Sequence, residues 1–237
     1  MRIRRAGWAL FLVAAFLFAL LALLPMRLAL DWFGFGERGL TARAATGSVW
    51  LGALQEAQIG PVPLGDVKAR LSFFPLFLGR ARLTLAGADE ATGLEGAVTV
   101  SRHGFGFDDV SARLRVGALF SPLAVSMLDF DDVSAGFTGG RCTRGEGRVR
   151  AAVSGQVAGI SLASGLAGQA RCTGDALLIP LVSQSGMERL DIRLSGDGRY
   201  RLELLVRPGD EAVRGRLIAA GFRPAGQGYG MQVDGAF

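Results

Sequence analysis

The sequence predicts an all-β protein: an antiparallel, curved or meandering sheet preceded by one N-terminal transmembrane helix. Three observations predict it. An uncharged run over residues 6–26 is long enough to cross a bilayer. Beyond it, apolar and polar residues alternate with period two along much of the chain. Glycine, at 35 of 237 residues, breaks that alternation at intervals typical of meander turns.

The run AGWALFLVAAFLFALLALLPM spans about 21 residues, roughly 31 Å as a helix, close to the hydrocarbon thickness of a membrane. A helix satisfies its own backbone polar groups there. Trp8 suits the headgroup level and Pro25 falls where the helix can stop. Arg2, Arg4 and Arg5 precede the run and a single Arg27 follows it, so the positive-inside rule places the N-terminus in the cytoplasm and the rest across the membrane. A cleaved signal peptide is the competing reading. Its apolar region is shorter, about 7–15 residues, and a small-x-small site follows at once. Here the nearest such match, Ala42-Arg43-Ala44, lies far downstream. The expected division is a cytoplasmic basic tail (1–5), a transmembrane helix (6–26), a juxtamembrane linker (27–39) and a β-rich domain (40–237), with possible halves 40–118 and 132–237.

Residues 67–73, 80–85, 110–116, 147–153, 190–195 and 199–206 each read as half-buried strands, apolar on one face and charged on the other. Gly196-Asp197-Gly198 marks a hairpin between the last two. Helical signals after the anchor are few. Leu119–Leu128 reads as a short amphipathic helix, with Ser121 as its cap and Pro122 at its first position, and the surrounding stretch 119–131 reads as the join between halves. Residues 211–221 fit a helix or a strand. Gly215 weakens the helix, so a strand is preferred.

The net charge is +5, with Lys68 the only lysine. Basic residues are scattered through alternating segments, without the basic-aromatic interleaving that single-stranded nucleic acid needs, so no nucleic-acid partner is expected. Contact with anionic headgroups near the anchor is compatible with this pattern. Two cysteines, Cys142 and Cys172, sit in matching Arg-Cys-Thr surroundings. In a translocated domain they are expected to form a disulfide, worth roughly 3–4 kcal/mol for a loop of about 31 residues in the chain-entropy model; two free buried thiols are the alternative. One histidine and no second cysteine pair exclude a zinc site of the usual spacing.

No converging catalytic set emerges. His103, in Ser101-Arg102-His103-Gly104, reads as an exposed turn residue. The glycine-rich stretches at 104–108 and 226–230 lead into no helix that could hold phosphate, and read as strand turns. Asp108, Asp109, Asp129, Asp131 and Asp132 lack calcium-loop spacing and read as solvated turns. No enzyme activity, cofactor, metal or small-molecule substrate is expected. Phe73, Phe74, Leu76, Phe77 and Leu78 make the most hydrophobic stretch outside the anchor. They fill a core or bend over a sheet edge, or else offer a surface to lipid or another membrane protein.

Two motifs carry a family resemblance. Gly47-Ser48-Val49-Trp50-Leu51-Gly52 precedes the first strands, with Gly47, Ser48, Val49, Trp50 and Gly52 as its motif positions. Near the end, Gly198, Arg199 and Tyr200 follow Asp197, with Arg207-Pro208 and a closing glycine-rich strand. With the cysteine segment between them, these resemble protein N of the bacterial type II secretion system. The resemblance implies an accessory inner-membrane protein, bitopic, with a periplasmic β-rich domain and no catalytic residues. Its partners would be other secretion-system proteins of the inner-membrane platform or outer-membrane channel, and membrane lipid. Trp50 would be structural. The alternative function, from a different class, is an envelope lipid-binding or lipid-transfer protein holding acyl chains in an apolar sheet groove.

Overall fold

The computed structural model describes residues 8, 11–13, 15–16, 19, 23–28, 40–89, 92–117, 119–123, 125–153, 156–157, 160–161 and 165–236. The expected anchor over 6–26 lies largely outside these residues, as does most of the linker over 27–39. Trp8 and Phe11–Val13 are helical and exposed. Among the described residues no helix is long and apolar enough to cross a membrane.

The first half of the chain supplies β1 (Leu40–Thr41), β2 (Ala44–Ser48), β3 (Leu51–Ile59), β4 (Val62–Ser72), the five-residue α1 (Phe73–Phe77), β5 (Arg80–Gly87), β6 (Glu95–Ser101) and β7 (Gly104–Arg115). The second supplies β8 (Val125–Thr138), β9 (Arg141–Val153), β10 (Gln156–Val157), β11 (Ile160–Ser161), β12 (Gly165–Gln169), β13 (Arg171–Thr173), β14 (Ala176–Ser183), β15 (Glu188–Ser195) and β16 (Arg199–Val206), then α2 (Glu211–Ala219), β17 (Arg223–Ala225) and β18 (Gly228–Ala236). All strands but β10 and β11 join one 16-stranded antiparallel sheet. Its order follows the chain from β3 to β9, then runs β12, β14, β15, β16, β18 and β17, so nearly every neighbour is made by a hairpin or short connection.

The period-two signal places these strands well. In β16 the burial alternates strictly, with Tyr200, Leu202, Leu204 and Val206 buried and Arg199, Arg201 and Glu203 exposed. Gly196-Asp197-Gly198 makes the expected hairpin: Gly198 adopts φ +83° and its N–H donates to the Ser195 carbonyl at 3.1 Å.

Three expectations are corrected. Leu119–Leu128 is no helix. Its apolar residues point into the core instead of along one helical face: Phe120 and Leu123 are buried, and from Val125 the chain enters β8, which pairs with both β7 and β9. The stretch read as a join thus leads from β7 into its sheet neighbour β8. Residues 211–219 are helical, not extended. Asp210 caps the helix by accepting from the Ala212 N–H at 3.1 Å, Leu217 fills the core, and Gly215 faces open space where its missing side chain costs little packing. Finally, the aspartates at 108–109 and 129–132 lie inside β7 and β8. Asp109 (φ +53°) and Asp132 (φ +54°) occupy left-handed positions at register shifts between these strands and their neighbours, as Glu56 (φ +48°) does in β3. At each bulge a neighbouring side chain accepts the displaced N–H: Asp66 for Glu56 at 2.9 Å, Ser134 for Asp109 at 3.0 Å, and Ser111 for Asp132 at 3.2 Å. Such bulges bend and twist the strands that carry them.

Two clusters of buried side chains line the sheet. The larger belongs mainly to β8–β18, where Leu181, Leu190 and Leu202 are fully buried in one cluster with Phe120, Leu123, Leu217 and Phe222. Each such leucine contributes about 2 kcal/mol. Val62 of β4 joins this cluster, so the sheet's first half reaches it. The smaller cluster contains Leu54, Leu64, Val67, Ala69, Leu94 and, from the N-terminal side, Met26.

Candidate functional site

The β2–β3 turn and the tip of the β4–β5 hairpin stand side by side. The reason is register: Gly52 of β3 pairs with Ala69 of β4, so the chain leaves both strands at the same end of the sheet. Gly47, at φ +81°, makes the approach to the turn, and any Cβ there would collide with the Leu51 carbonyl oxygen. The Ser48 hydroxyl accepts the Leu51 N–H at 3.3 Å. Val49 is buried, and its carbonyl accepts the Leu71 N–H at 3.3 Å.

Trp50 then meets Phe73 edge to face, with centroids 5.5 Å apart. Phe73 in turn contacts Phe77 at 5.0 Å and Phe74 at 6.3 Å, both edge-on. No residue of α1 is buried. Phe74, Phe77 and Leu78 are 83%, 75% and 77% exposed, Phe73 and Leu76 less so. The hydrophobic stretch that the sequence left open between core and surface is therefore a preformed, solvent-facing aromatic tip.

Sequence reasoning missed what docks beside it. The Val49 N–H donates to the Leu24 carbonyl at 3.0 Å, Pro25 bridges Ser48, and Arg27 Nε donates to the Ala45 carbonyl at 2.9 Å. Met26 is buried against Gly52, where an added Cβ would lie 3.0 Å from the thioether sulfur. The signal was present in the second glycine of the motif, whose bare Cα makes room for a side chain from elsewhere. Position in the linear sequence gave no hint of which side chain.

The later motif residues lie at the hairpin end of β15–β16, apart from this tip. Asp197 and Arg199 pair across the turn at 2.6 Å, which holds the Asp197 carboxyl below the usual carboxylate range. Tyr200 packs on Phe120 at 5.9 Å, sends its hydroxyl to the Leu119 carbonyl at 3.4 Å, and lies over Gly235, which has no room for a Cβ. Gly198, Arg199 and Tyr200 thus lock a turn and close the larger core. Cys142 of β9 and Cys172 of β13 form a disulfide with Cα atoms 5.5 Å apart. It fastens the short β13 across the sheet at the end where Cys142 N–H also donates to Asp175 at 3.2 Å.

Elsewhere the polar groups are occupied with each other. Asp108 receives Arg82, Arg144 at 3.2 Å and Thr99 at 3.0 Å. The Glu146 carboxylate, hydrogen-bonded to Arg144, raises that guanidinium's pKa. His103 stands exposed in the β6–β7 turn. Among the described residues no group of three or more His, Cys, Asp or Glu is placed to hold a metal ion. A concavity of about 480 Å³ is lined by Glu203, Arg223 and Gln232 beside Met231, and one of about 400 Å³ by Asp109, Asp131, Asp132, Arg144 and Arg148. Both present charge to an entering molecule. At the far side of the sheet, β17 pairs only with Gly228–Gly230, so Met231–Ala236 of β18 are paired on one side alone among the described residues.

The family model for type II secretion system (T2SS), protein N, matches residues 38–231, from two residues before β1 into β18. No match is found among curated proteins or among solved structures.

Proposed function

The chain belongs to the protein N family of the type II secretion system, and from that premise we propose that it is an accessory inner-membrane component whose β-sheet is a periplasmic assembly surface for other proteins of the machine. The observation that carries this reading is the extent of the match, which takes in almost the whole sheet. The half-paired strand β18 is the surface on offer to protein partners, and the aromatic tip at α1 is a second exposed surface. An open edge presents a row of unsatisfied backbone donors and acceptors, which a strand of another subunit can complete.

The sequence supports placement in the envelope. The uncharged run at 6–26 with its arginine-rich flank supports a single span, cytoplasmic N-terminus and periplasmic sheet. The disulfide suits an oxidising compartment. The lipid-groove alternative gains no specific support. Phe120, Leu123, Leu217 and Phe222 are themselves buried in the larger core.

The test is genetic and biochemical together. Deleting the gene is expected to impair export of folded proteins from the periplasm, and crosslinking in intact membranes is expected to recover platform or outer-membrane channel components. Normal secretion in the deletion strain, with no secretion protein recovered, would end this reading. Reporter fusions after Phe237 should be active only in the periplasm.

A further inference from the structure

The aromatic tip has a particular chemistry and a particular neighbour. We propose that the end of the sheet formed by the β2–β3 turn, α1 and the β6–β7 turn rests in the interfacial layer of an anionic phospholipid bilayer, with the α1 side chains among the upper acyl segments. The proposal rests on the membrane placement above and names what the tip touches there.

Four observations converge. First, the tip is apolar and exposed where an isolated globular surface would be polar. Phe74, Phe77, Leu78 and Leu51 are 83%, 75%, 77% and 68% exposed, and all lie at the adjoining β2–β3 and β4–β5 connections. Second, the rings are fixed before any partner arrives, because Phe73 holds Phe77 and Trp50 edge-on. Third, the path of the chain leads to this end. Leu24 and Pro25 are hydrogen-bonded and bridged to Val49 and Ser48 at the same turn. The long apolar run therefore reaches the sheet beside α1, and a bilayer holding that run lies next to the tip. Fourth, charge is complementary. Arg80 and Arg102 flank the tip, in register through the Arg80–Ser101 pair, and both are exposed. Among the described residues neither makes an ion pair, although ten other guanidinium–carboxylate contacts occur. Phenylalanine and tryptophan with free arginines at the rim are suited to a headgroup boundary.

The test uses the full-length protein in nanodiscs containing brominated phospholipid, either purely zwitterionic or about one-third phosphatidylglycerol. An environment-sensitive fluorophore is attached at Leu78→Cys, with Phe74→Cys as a second position and Ser185→Cys, in the β14–β15 turn at the opposite end of the sheet, as control. Neither α1 position is buried, so substitution leaves the core intact, and retention of the Cys142–Cys172 bond in each variant is checked by mass spectrometry. Strong bromine quenching at positions 74 and 78 but not 185 is expected. Arg80→Gln with Arg102→Gln is expected to shift the inserted-to-free ratio about 30-fold in anionic discs and hardly at all in zwitterionic ones. A label at 78 as water-exposed as that at 185, in protein that is nonetheless embedded in the disc, overturns the tip proposal alone. Protection of position 78 only after secretion-system proteins are added also overturns it, in favour of a protein partner. Failure of the protein to stay with the disc overturns the membrane placement itself.

Discussion

Trp50 stands edge-on to Phe73 with ring centroids 5.5 Å apart and planes inclined at 62°. One residue belongs to a glycine-flanked motif near the start of the sheet, the other to the most hydrophobic stretch outside the expected anchor. Their contact makes the motif the support of the tip. The β2–β3 turn holds Trp50 in place through Gly47, Ser48 and the Val49–Leu71 hydrogen bond, and Trp50 holds the ring from which Phe74 and Phe77 project.

Trp50→Ala therefore loosens the tip without emptying the core. The loss is expected to be about 1 kcal/mol beyond buried area, read as a lower urea midpoint. Increased protease cleavage after Phe77 or Leu78 should accompany it. Unchanged cleavage at α1 would detach the motif from the tip.

Gly47→Ala is expected to cost more than Gly60→Ala. Both glycines have positive φ, +81° and +55°. At Gly60 nothing lies within 4 Å of an added Cβ, so the penalty is conformational only, about 1 kcal/mol. At Gly47 the new methyl meets the Leu51 carbonyl oxygen, and the turn must open. A cost of about 2–3 kcal/mol and altered Trp50 fluorescence are expected. Equal destabilisation of the two variants would show that the turn yields freely.

How much of this was legible in sequence depends on what range of contact carried it. The alternation in β16 and the Gly196–Gly198 hairpin were readable because strand periodicity is local. Asp109 and Asp132 were not. Their charge reads as a turn, yet Ser134 and Ser111 on neighbouring strands accept their N–H groups and keep them inside the ladder. Leu119–Leu128 failed for a similar reason, since Phe120 takes its place against Tyr200, 80 residues away in the chain, at 5.9 Å. The aromatic tip was half legible: its hydrophobicity was plain, its exposure was not, and the docking of Met26 on Gly52 left only a bare glycine as its trace.

Replacing Cys142 and Cys172 together by alanine removes a constraint across 30 residues of chain. The chain-entropy model gives a loss of roughly 3–4 kcal/mol. The double variant should unfold at lower denaturant and expose β13 to hydrogen exchange before β14–β16, because β13 is three residues long and, among the described residues, pairs with β14 alone. Uniform exchange across these strands would mean that the bond stabilises the sheet only globally.

Acid titration probes two carboxylates held by arginine partners, Asp197 and Asp234. Arg199 bonds to Asp197 through its side chain and backbone N–H, and Arg201 with Gln232 bonds to Asp234; each carboxyl is thereby held below its ordinary range. A folded-state pKa below the unfolded one means that folding favours the ionised form. The contribution is fully present above the unfolded value near 3.8 and disappears as pH falls through the lower folded value. Both groups are solvent-exposed, so the effect on stability is small and screened by salt. Site-resolved carboxyl NMR should give midpoints for Asp197 and Asp234 below that of an unpaired aspartate, and Arg199→Gln should return Asp197 toward it while leaving Asp234 unmoved. A joint shift of both would mean that Arg199 acts through the packing of β16 on β18 and not through its own hydrogen bonds.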